Sequence, residues 1–423
     1  MNKEKTGGNT AVGNKRGLII AGVIIFIAGT VIRLLLRDMT SLDLENFLVP
    51  WFDEIKASGG FAGLGKQVGD YNILYQTIIA LFTRIPVKAV YAYKLFSCIF
   101  DVLLAVLSAH VVYKLAGKNK TKLAVTAFGL VYLSPIVILN SSWWGQCDAI
   151  YTFFGLLSLY LLSKKKDLAA MAVYGVAFTF KLQAVFLLPV IALVLFMRKK
   201  THLLYLLVIP AVMIVLSLAG IASGRNVSEV FTIYFQQTSI YKAVALNSPS
   251  LWGLAADGVY AASFFAGKEI ISAEGLYNIL KYPAIIITGA ALAAIMLFWL
   301  KRRVCTDLES VLIMAFLLAY TCVLLLPSMH ERYGFVYEIL ALIIAFIDRK
   351  TIYLLCMMYT VTLITYIHFL SNVYFMPISV LSAVNIFIYI FYMIKLNKRL
   401  LGKAADNSET RNRLTDSPPE ITE

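Results

Sequence analysis

Long apolar runs alternate with short polar ones along the whole chain. The runs fall near residues 18–36, 88–115, 123–139, 149–163, 168–180, 184–197, 203–222, 282–300, 308–327, 334–347, 351–370 and 378–396. A helix needs about 20 apolar residues to cross a bilayer. The pattern therefore predicts an all-α polytopic membrane protein with about twelve transmembrane helices, roughly 10–13. Four runs, 149–163, 168–180, 184–197 and 334–347, are short for a full crossing. Short helices at membrane depth are tolerated where they line a protein-walled cavity, so their clustering marks an expected cavity. The first run follows a basic start (Lys3, Lys5, Lys15, Arg16) and has no small-residue cleavage site. It reads as a retained signal-anchor, with Arg33 close enough to its outer end to snorkel. On this pattern the chain divides into a tail (1–17), a membrane domain (18–396) and a polar tail (397–423).

Composition removes the other broad classes. The 423 residues are 60% hydrophobic and 15% charged, with a mean hydropathy of +0.78. Soluble domains are about 45–50% apolar and about 25% charged. A soluble globular, disordered or fibrous chain is excluded. The net charge of +14 would suggest an acidic partner on a soluble protein. Its location gives another reading. The basic residues sit in connections near 114–122, 164–166, 198–200, 301–303 and 349–350. These are alternate connections, as two cytoplasmic termini require. The surplus is an orientation signal that also meets anionic membrane lipid, and no nucleic-acid partner is needed. Cys98, Cys147, Cys305, Cys322 and Cys356 have no CxxC spacing and read as small hydrophobes, so neither a disulfide framework nor a zinc site is expected.

The segments left for the outer side are 37–87, 140–148, 223–281 and 328–333. The first mixes charges with Phe47, Trp51, Phe52 and Phe61 and predicts interfacial amphipathic helices after the first span. Asp43 and Glu45 lie two apart, so on an extended loop both face one way. A carboxylate there can take a proton from a hydroxyl, or be one more solvated charge beside Asp38, Asp53 and Glu54. Asp70, after Gly69, is equal by composition and reads also as a turn residue. Trp143, Trp144, Gln146 and Asp148 join two spans. Tryptophans anchor membrane interfaces, but such belts do not need a glycine, an amide and a carboxylate. Rings beside amides also suit a sugar, whose CH face they cover.

Lys181 and Gln183 lie between two short runs. A membrane-embedded lysine either snorkels or marks a functional site, here a cation for a lipid phosphate. His330, Glu331, Arg332 and Tyr333 are the densest polar cluster. They suit a phosphate and its leaving group, or simply a helix start. His110, His202 and His368 stand alone and read as structural. Lys94 and Asp101, seven apart on one helix face, predict an internal ion pair. Asn140-Ser-Ser142 and Asn226-Val-Ser228 match the weak glycosylation pattern. No nucleotide-binding motif is present, which argues against a cytoplasmic nucleotide-sugar enzyme.

Taken in order, Asp43-Leu-Glu45, Trp144-Gly-Gln-Cys-Asp148, Lys181-Leu-Gln183 with Pro189 following, and Met329-His-Glu-Arg-Tyr333 resemble the motif series of the GT-C superfamily of integral-membrane glycosyltransferases. Within it the chain is most similar to bacterial relatives of the GPI mannosyltransferase II (PIG-V-like) group, over about residues 18–396. The resemblance implies a multi-pass bacterial cell-membrane protein with its active site on the outer face. It implies inverting transfer of one hexose, mannose-like, from a polyprenyl-phosphate donor to a lipid-linked or envelope glycan acceptor. By carry-over Asp43 is the base and Glu45 supports the acceptor. Lys181, His330 and Arg332 hold the donor phosphate. Trp143, Trp144, Gln146 and Asp148, with Gln183, Glu331 and Tyr333, contact sugar and acceptor. No nucleotide or other cofactor is needed at the site, and the DxE pair leaves room for a divalent cation. The second long outer segment is short beside the soluble domains of some branches, which favours single-sugar transfer. The rival reading is a polytopic transporter or flippase for lipid-linked saccharides, which predicts charges near the bilayer midplane and related half-chain repeats.

Overall fold

The computed structural model describes residues 6–415. The expectations on residues 1–5 and 416–423, including Lys3, Lys5, Pro418 and Pro419, lie outside the described residues. The protein is helical nearly throughout. After α1 (Thr6–Leu35) come a π-helical turn (Leu44–Leu48), α2 (Val49–Ala57), a 3-10 segment (Gly60–Gly65) and α3 (Ile73–Phe82). Then follow α4 (Ala89–Leu115), α5 (Lys120–Tyr132) and α6 (Pro135–Ile138), which runs into a second π-helical turn (Leu139–Trp143). The pair α7 (Asp148–Ser163) and α8 (Asp167–Phe180) precedes a 3-10 segment (Leu182–Leu187) and α9 (Leu188–Arg198). Another 3-10 segment (Lys200–Leu207) leads to α10 (Val208–Leu216), α11 (Leu218–Ala222), α12 (Glu229–Ile240) and α13 (Leu251–Ala266). The long helices α14 (Ala273–Lys301), α15 (Leu308–Leu325), α16 (Phe335–Ile347), α17 (Ile352–Ser371) and α18 (Ile378–Thr415) complete the chain. Among the described residues the one strand pairing is parallel, β1 (Ala245–Leu246) with β2 (Met329–His330).

Six of these helices are long and apolar enough to cross a membrane, and a seventh crossing is made if α5 and the stretch Pro135–Trp143 count together. Those two pieces meet at 45°. Pro135 explains the break: it disfavours helical backbone at Ser134 and cannot donate to the preceding turn. The expected single run at 123–139 is thus two pieces, and the run at 203–222 is divided among a 3-10 segment, α10 and α11. The runs expected to be short are short helices. They include α7, α8 and α16 at 16, 14 and 13 residues.

Helices apolar on every side need an apolar surround on every side. α15 and α16 find it inside the protein, where Ser310–Leu324 and Phe335–Ala345 are buried without interruption. α1 and α14 do not. Only 11% of the apolar window of α1 and 17% of that of α14 is buried, so their exposed side chains require lipid. The connection after α1 folds back as helices, as expected. Leu48, Phe52, Ile55, Leu74 and Ile79 form a second core with Cys147, Ile150 and Phe180.

Five expectations change. Arg33 does not snorkel, and Lys94 and Asp101 do not pair with each other. Seven residues are about 10 Å of helix rise, and each side chain finds a partner nearer its own level. Arg33 donates through Nε and Nη2 to Asp101 Oδ2, at 3.0 and 2.9 Å. Ser141 Oγ donates to the same oxygen at 2.6 Å. Lys94 Nζ caps the end of α1, donating to the carbonyls of Leu36, Arg37 and Met39. A helix end leaves carbonyls without donors, and a cation there satisfies them. The tails are also less separate than expected: α1 starts at Thr6, and α18 continues to Thr415. Beyond residue 396 its Arg399 and Lys403 bind Glu309 and Asp307 at the start of α15. Asn140 is buried and donates to Asp148 Oδ2, which removes it as a glycosylation acceptor. His202 does not stand alone either, since its Nδ1 lies 2.9 Å from Asp167 Oδ2. All five cysteines are free.

The Arg33–Asp101 pair is buried on both sides. Asp101→Ala should destabilise the protein by about 3–5 kcal/mol, because it leaves a buried guanidinium without its counter-charge. The double variant Arg33→Met/Asp101→Leu should recover most of that loss. Thermal unfolding in detergent, followed for both, checks the pair.

Candidate functional site

The site grows from two stitches between distant segments. Gly145 has φ +73°, and a Cβ there would press on Leu44. Only glycine combines that backbone with that approach. The turn lets the stretch 143–146 meet the stretch 40–44. Ser41 Oγ donates to the Trp144 carbonyl at 3.0 Å, and Trp143 Nε1 donates to the Thr40 carbonyl at 3.0 Å. Asp43 is thereby held against Trp144 Nε1 and Gln146 Nε2, each 2.9 Å from its Oδ2. Arg332 Nη1 approaches the same oxygen at 3.2 Å. Among the described residues Oδ1 takes no such bond and is left for a ligand.

Asp43 opens on a cavity of about 360 Å³. Of the residues expected at the site, Asp43, Gln146, Lys181, Gln183, His330, Arg332 and Tyr333 line it. They come from four separate stretches of the chain. Lys181 reaches the cavity because α8 stops at Phe180 and the chain turns extended at Lys181. His330 and Arg332 are held by β2, whose partner β1 lies more than eighty residues earlier.

Five expected residues do not line the cavity. Glu45 is exposed and accepts from Thr40 Oγ1. The DxE carboxylates diverge because residues 44–48 coil instead of extending, and helical neighbours two apart do not face each other. That also weakens the case for a divalent ion at the pair. Among the described residues no three His, Cys, Asp or Glu side chains form a group fit for a metal. Trp143 serves the stitch already described. Trp144 is 0% exposed and stacks on Phe369 at 4.4 Å, so it supports Asp43 from behind instead of covering a sugar. Asp148 is also 0% exposed and lies 2.6 Å from Lys181 Nζ, so it is a counter-ion. Glu331 is buried behind Arg332, 3.7 Å from its Nη1, and burial pushes its carboxyl up to about 7.

His330 also changes role. Its ring lies between Tyr241 and Tyr333, with centroids 4.8 and 5.0 Å away. Desolvation, with Arg332 and Lys181 nearby, holds it well below the usual histidine range. That favours the neutral imidazole, which can exchange a hydrogen bond, over a phosphate cation.

The cavity wall adds residues that the sequence did not single out. Trp51 and Tyr71 supply the aromatic surface expected of the two adjacent tryptophans. Gln237 and Lys281 come from α12 and α14, and Tyr241 directly follows α12. Asp70, which the sequence left undecided, lines the cavity, and its Oδ1 has no partner among the described residues. Desolvation raises its pKa above the usual aspartate range. The signal was Gly69. It has φ +67°, and a Cβ there would run into the Trp51 ring. Gln67 Nε2 then ties the turn through the carbonyls of Gly69 and Tyr71, at 2.8 and 3.0 Å. Gln237 Nε2 donates to the Asp70 carbonyl. The turn is built to hold Asp70 where it is.

Gly69→Ala should therefore cost about 1–3 kcal/mol through the left-handed backbone alone, with a further loss from displacing Trp51. Thermal unfolding, with tryptophan emission read at the same time, tests both effects. Against known proteins, the chain matches no protein-family model and no curated protein sequence.

Proposed function

We propose that the protein is an outer-face glycosyltransferase. It moves one hexose, mannose-like, from a polyprenyl phosphate to a lipid-linked or envelope acceptor, with inversion. The observation that carries this reading is a single cavity that combines carboxylates, cations and apolar walls. Asp43 and Asp70 line it with Lys181, Arg332, Trp51 and Phe186. A polyprenyl-phosphate sugar has the matching parts: hydroxyls, an anion and a long apolar chain. The proposed topology fits as well. Counting the bent pair as one crossing, with the five shorter apolar helices that follow Trp143, gives about twelve crossings. The basic connections then lie in the cytoplasm with both termini, opposite the cavity.

The acceptor hydroxyl attacks the anomeric carbon as the bond from that carbon to the phosphate oxygen breaks. The electron pair leaves on the phosphate, and the hydroxyl proton goes to a carboxylate. Two carboxylates compete for that proton. Asp43 is the one expected from the motif series, but its Oδ2 already serves three donors. Asp70, like Asp43, has an oxygen without a partner among the described residues, and burial raises its pKa, which suits it to take the proton. Asp43 then acts by orienting Arg332 beside the cleaving bond.

The transporter reading predicts charges near the bilayer midplane and related half-chain repeats. Asp101, midway along α4, is such a charge by position. Its charge is met at Oδ2 by Arg33 and Ser141, and it does not line the cavity. That favours a structural role for it and leaves transfer as the better reading.

The test is purified protein with a panel of polyprenyl-phosphate hexoses, scored for loss of donor. Consumption of one donor supports the reading, and consumption of none with any acceptor extract overturns it. Asp70→Asn should lower turnover roughly 10²–10⁴-fold, the usual worth of a general base, and should abolish the acid limb of the pH–rate profile. In the wild type that limb should be lost as pH falls through a midpoint above 3.8, the ordinary aspartate value, because a raised pKa keeps Asp70 protonated to higher pH. Asp43→Asn should also slow transfer but leave the acid limb in place. The opposite result, a limb lost with Asp43 and kept without Asp70, returns the base to Asp43.

A further inference from the structure

The cavity has three cations on its wall, and two are already neutralised. Lys181 Nζ is 2.6 Å from Asp148 Oδ1, and Arg332 Nη1 is 3.2 Å from Asp43 Oδ2. A cation paired in a low-dielectric setting has little field left for a second anion. The third is Lys281. Among the described residues no carboxylate lies within ion-pair distance of it. Its Nζ lies instead over the rings of Tyr277 and Tyr282, 5.4 and 5.8 Å from their centroids.

Its place on α14 is equally specific. Tyr277, Lys281 and Ile285 are spaced by four and so form one stripe of the helix, and all three line the cavity. Two contacts join the start of α14 to α12 and the residues just after it. Lys242 Nζ donates to Glu274 Oε1 at 2.7 Å, and the Tyr277 hydroxyl donates to the Thr238 carbonyl at 3.4 Å. Ile285 lies one helical turn, about 5–6 Å, beyond Lys281 towards the interior of α14. There it shares the wall with Val185, Phe186 and Leu326. An unpaired ammonium at the polar end of an apolar wall fits a phosphate carrying a hydrocarbon chain. A free phosphate would gain nothing from Ile285 or Phe186.

We propose that Lys281 is the phosphate-binding cation of this cavity, and that it takes a lipid phosphate whose chain runs along the apolar wall beyond it. This rests on the transfer reading only for the sugar that such a lipid would carry. It reassigns the anion contact from Lys181, His330 and Arg332. Lys181 and Arg332 remain as paired cations, with His330 beside them, in the wall against which the sugar end is held.

The test uses the full chain in zwitterionic nanodiscs, with undecaprenyl phosphate as the probe. Binding is read by tryptophan emission, because Trp51 lines the cavity. Lys281→Gln should weaken binding roughly 10-fold or more, the worth of one charge-assisted contact. Lys281→Arg should restore most of it, since it returns the charge. In turnover with an active donor, Lys281→Gln should raise KM in the same ratio and leave kcat nearly unchanged. Inorganic phosphate should not displace the probe at comparable concentration, and neither should phosphatidylglycerol. Unchanged binding in Lys281→Gln overturns the proposal. Displacement by inorganic phosphate overturns the part played by the apolar wall, and displacement by phosphatidylglycerol overturns the match to a long-chain lipid phosphate. Lys281-dependent binding without turnover of any donor supports the subsite while overturning sugar transfer. Turnover with unchanged Lys281→Gln kinetics does the reverse.

Discussion

The arrangement depends on one constraint: a carboxylate among aromatic rings must be supplied with donors. Asp43 draws them from Trp144, Gln146 and Arg332, which belong to two segments far apart in the chain. Each donor is itself fixed. Trp144 is locked between Tyr366 and Phe369, and Gln146 also takes the Tyr71 hydroxyl at 3.4 Å. Arg332 passes on to Asp148, 3.9 Å away, which holds Lys181. A single line of charges, acid and base in turn, thus joins the turn after α1 to the end of α8 and the start of α16. In a low-dielectric body each link is strong only while the next is in place.

That constraint explains what was legible in the sequence. Polar residues in a chain this apolar are costly, so those retained near one side were good candidates, and seven of the twelve singled out line one cavity. What the sequence could not separate was lining from support. Asp148 and Lys181 are equal as polar residues in apolar surroundings, yet one faces the cavity and the other is its counter-ion. Trp143 and Trp144 suggested a sugar platform, but their rings turn away once Gly145 takes its left-handed conformation. Glu45 was lost for a simpler reason, since a two-residue spacing means one face in an extended chain and different faces in a coil. The fold was legible as class more than as count. All-helical and membrane-embedded followed from the apolar runs. The bend at Pro135 and the division of 203–222 did not, because hydropathy records how apolar a stretch is and not where its backbone turns.

Lys281 escaped, and Asp70 was left undecided, for the opposite reason. Neither belongs to a dense motif. Asp70 sits after a glycine, as many turn residues do, and Lys281 is a lone lysine near the start of a long helix. Their importance comes from what other residues leave undone. Once Arg332 and Asp43 neutralise each other, and Lys181 and Asp148 do the same, the cavity keeps one acid and one base without partners. Such a remainder can be found only by pairing charges in three dimensions.

α14 differs from α15 and α16 in how much of it the protein encloses. Its buried side chains are few (Tyr277, Ala284, Thr288 and Trp299), whereas α15 and α16 are enclosed along nearly their whole length. Local opening costs least where the least apolar contact is surrendered. The cavity is therefore built as a firm socket with one yielding side. A bulky guest would enter past α14, from the lipid that covers its outer face, and the socket that aligns the reacting groups would not have to deform to admit it.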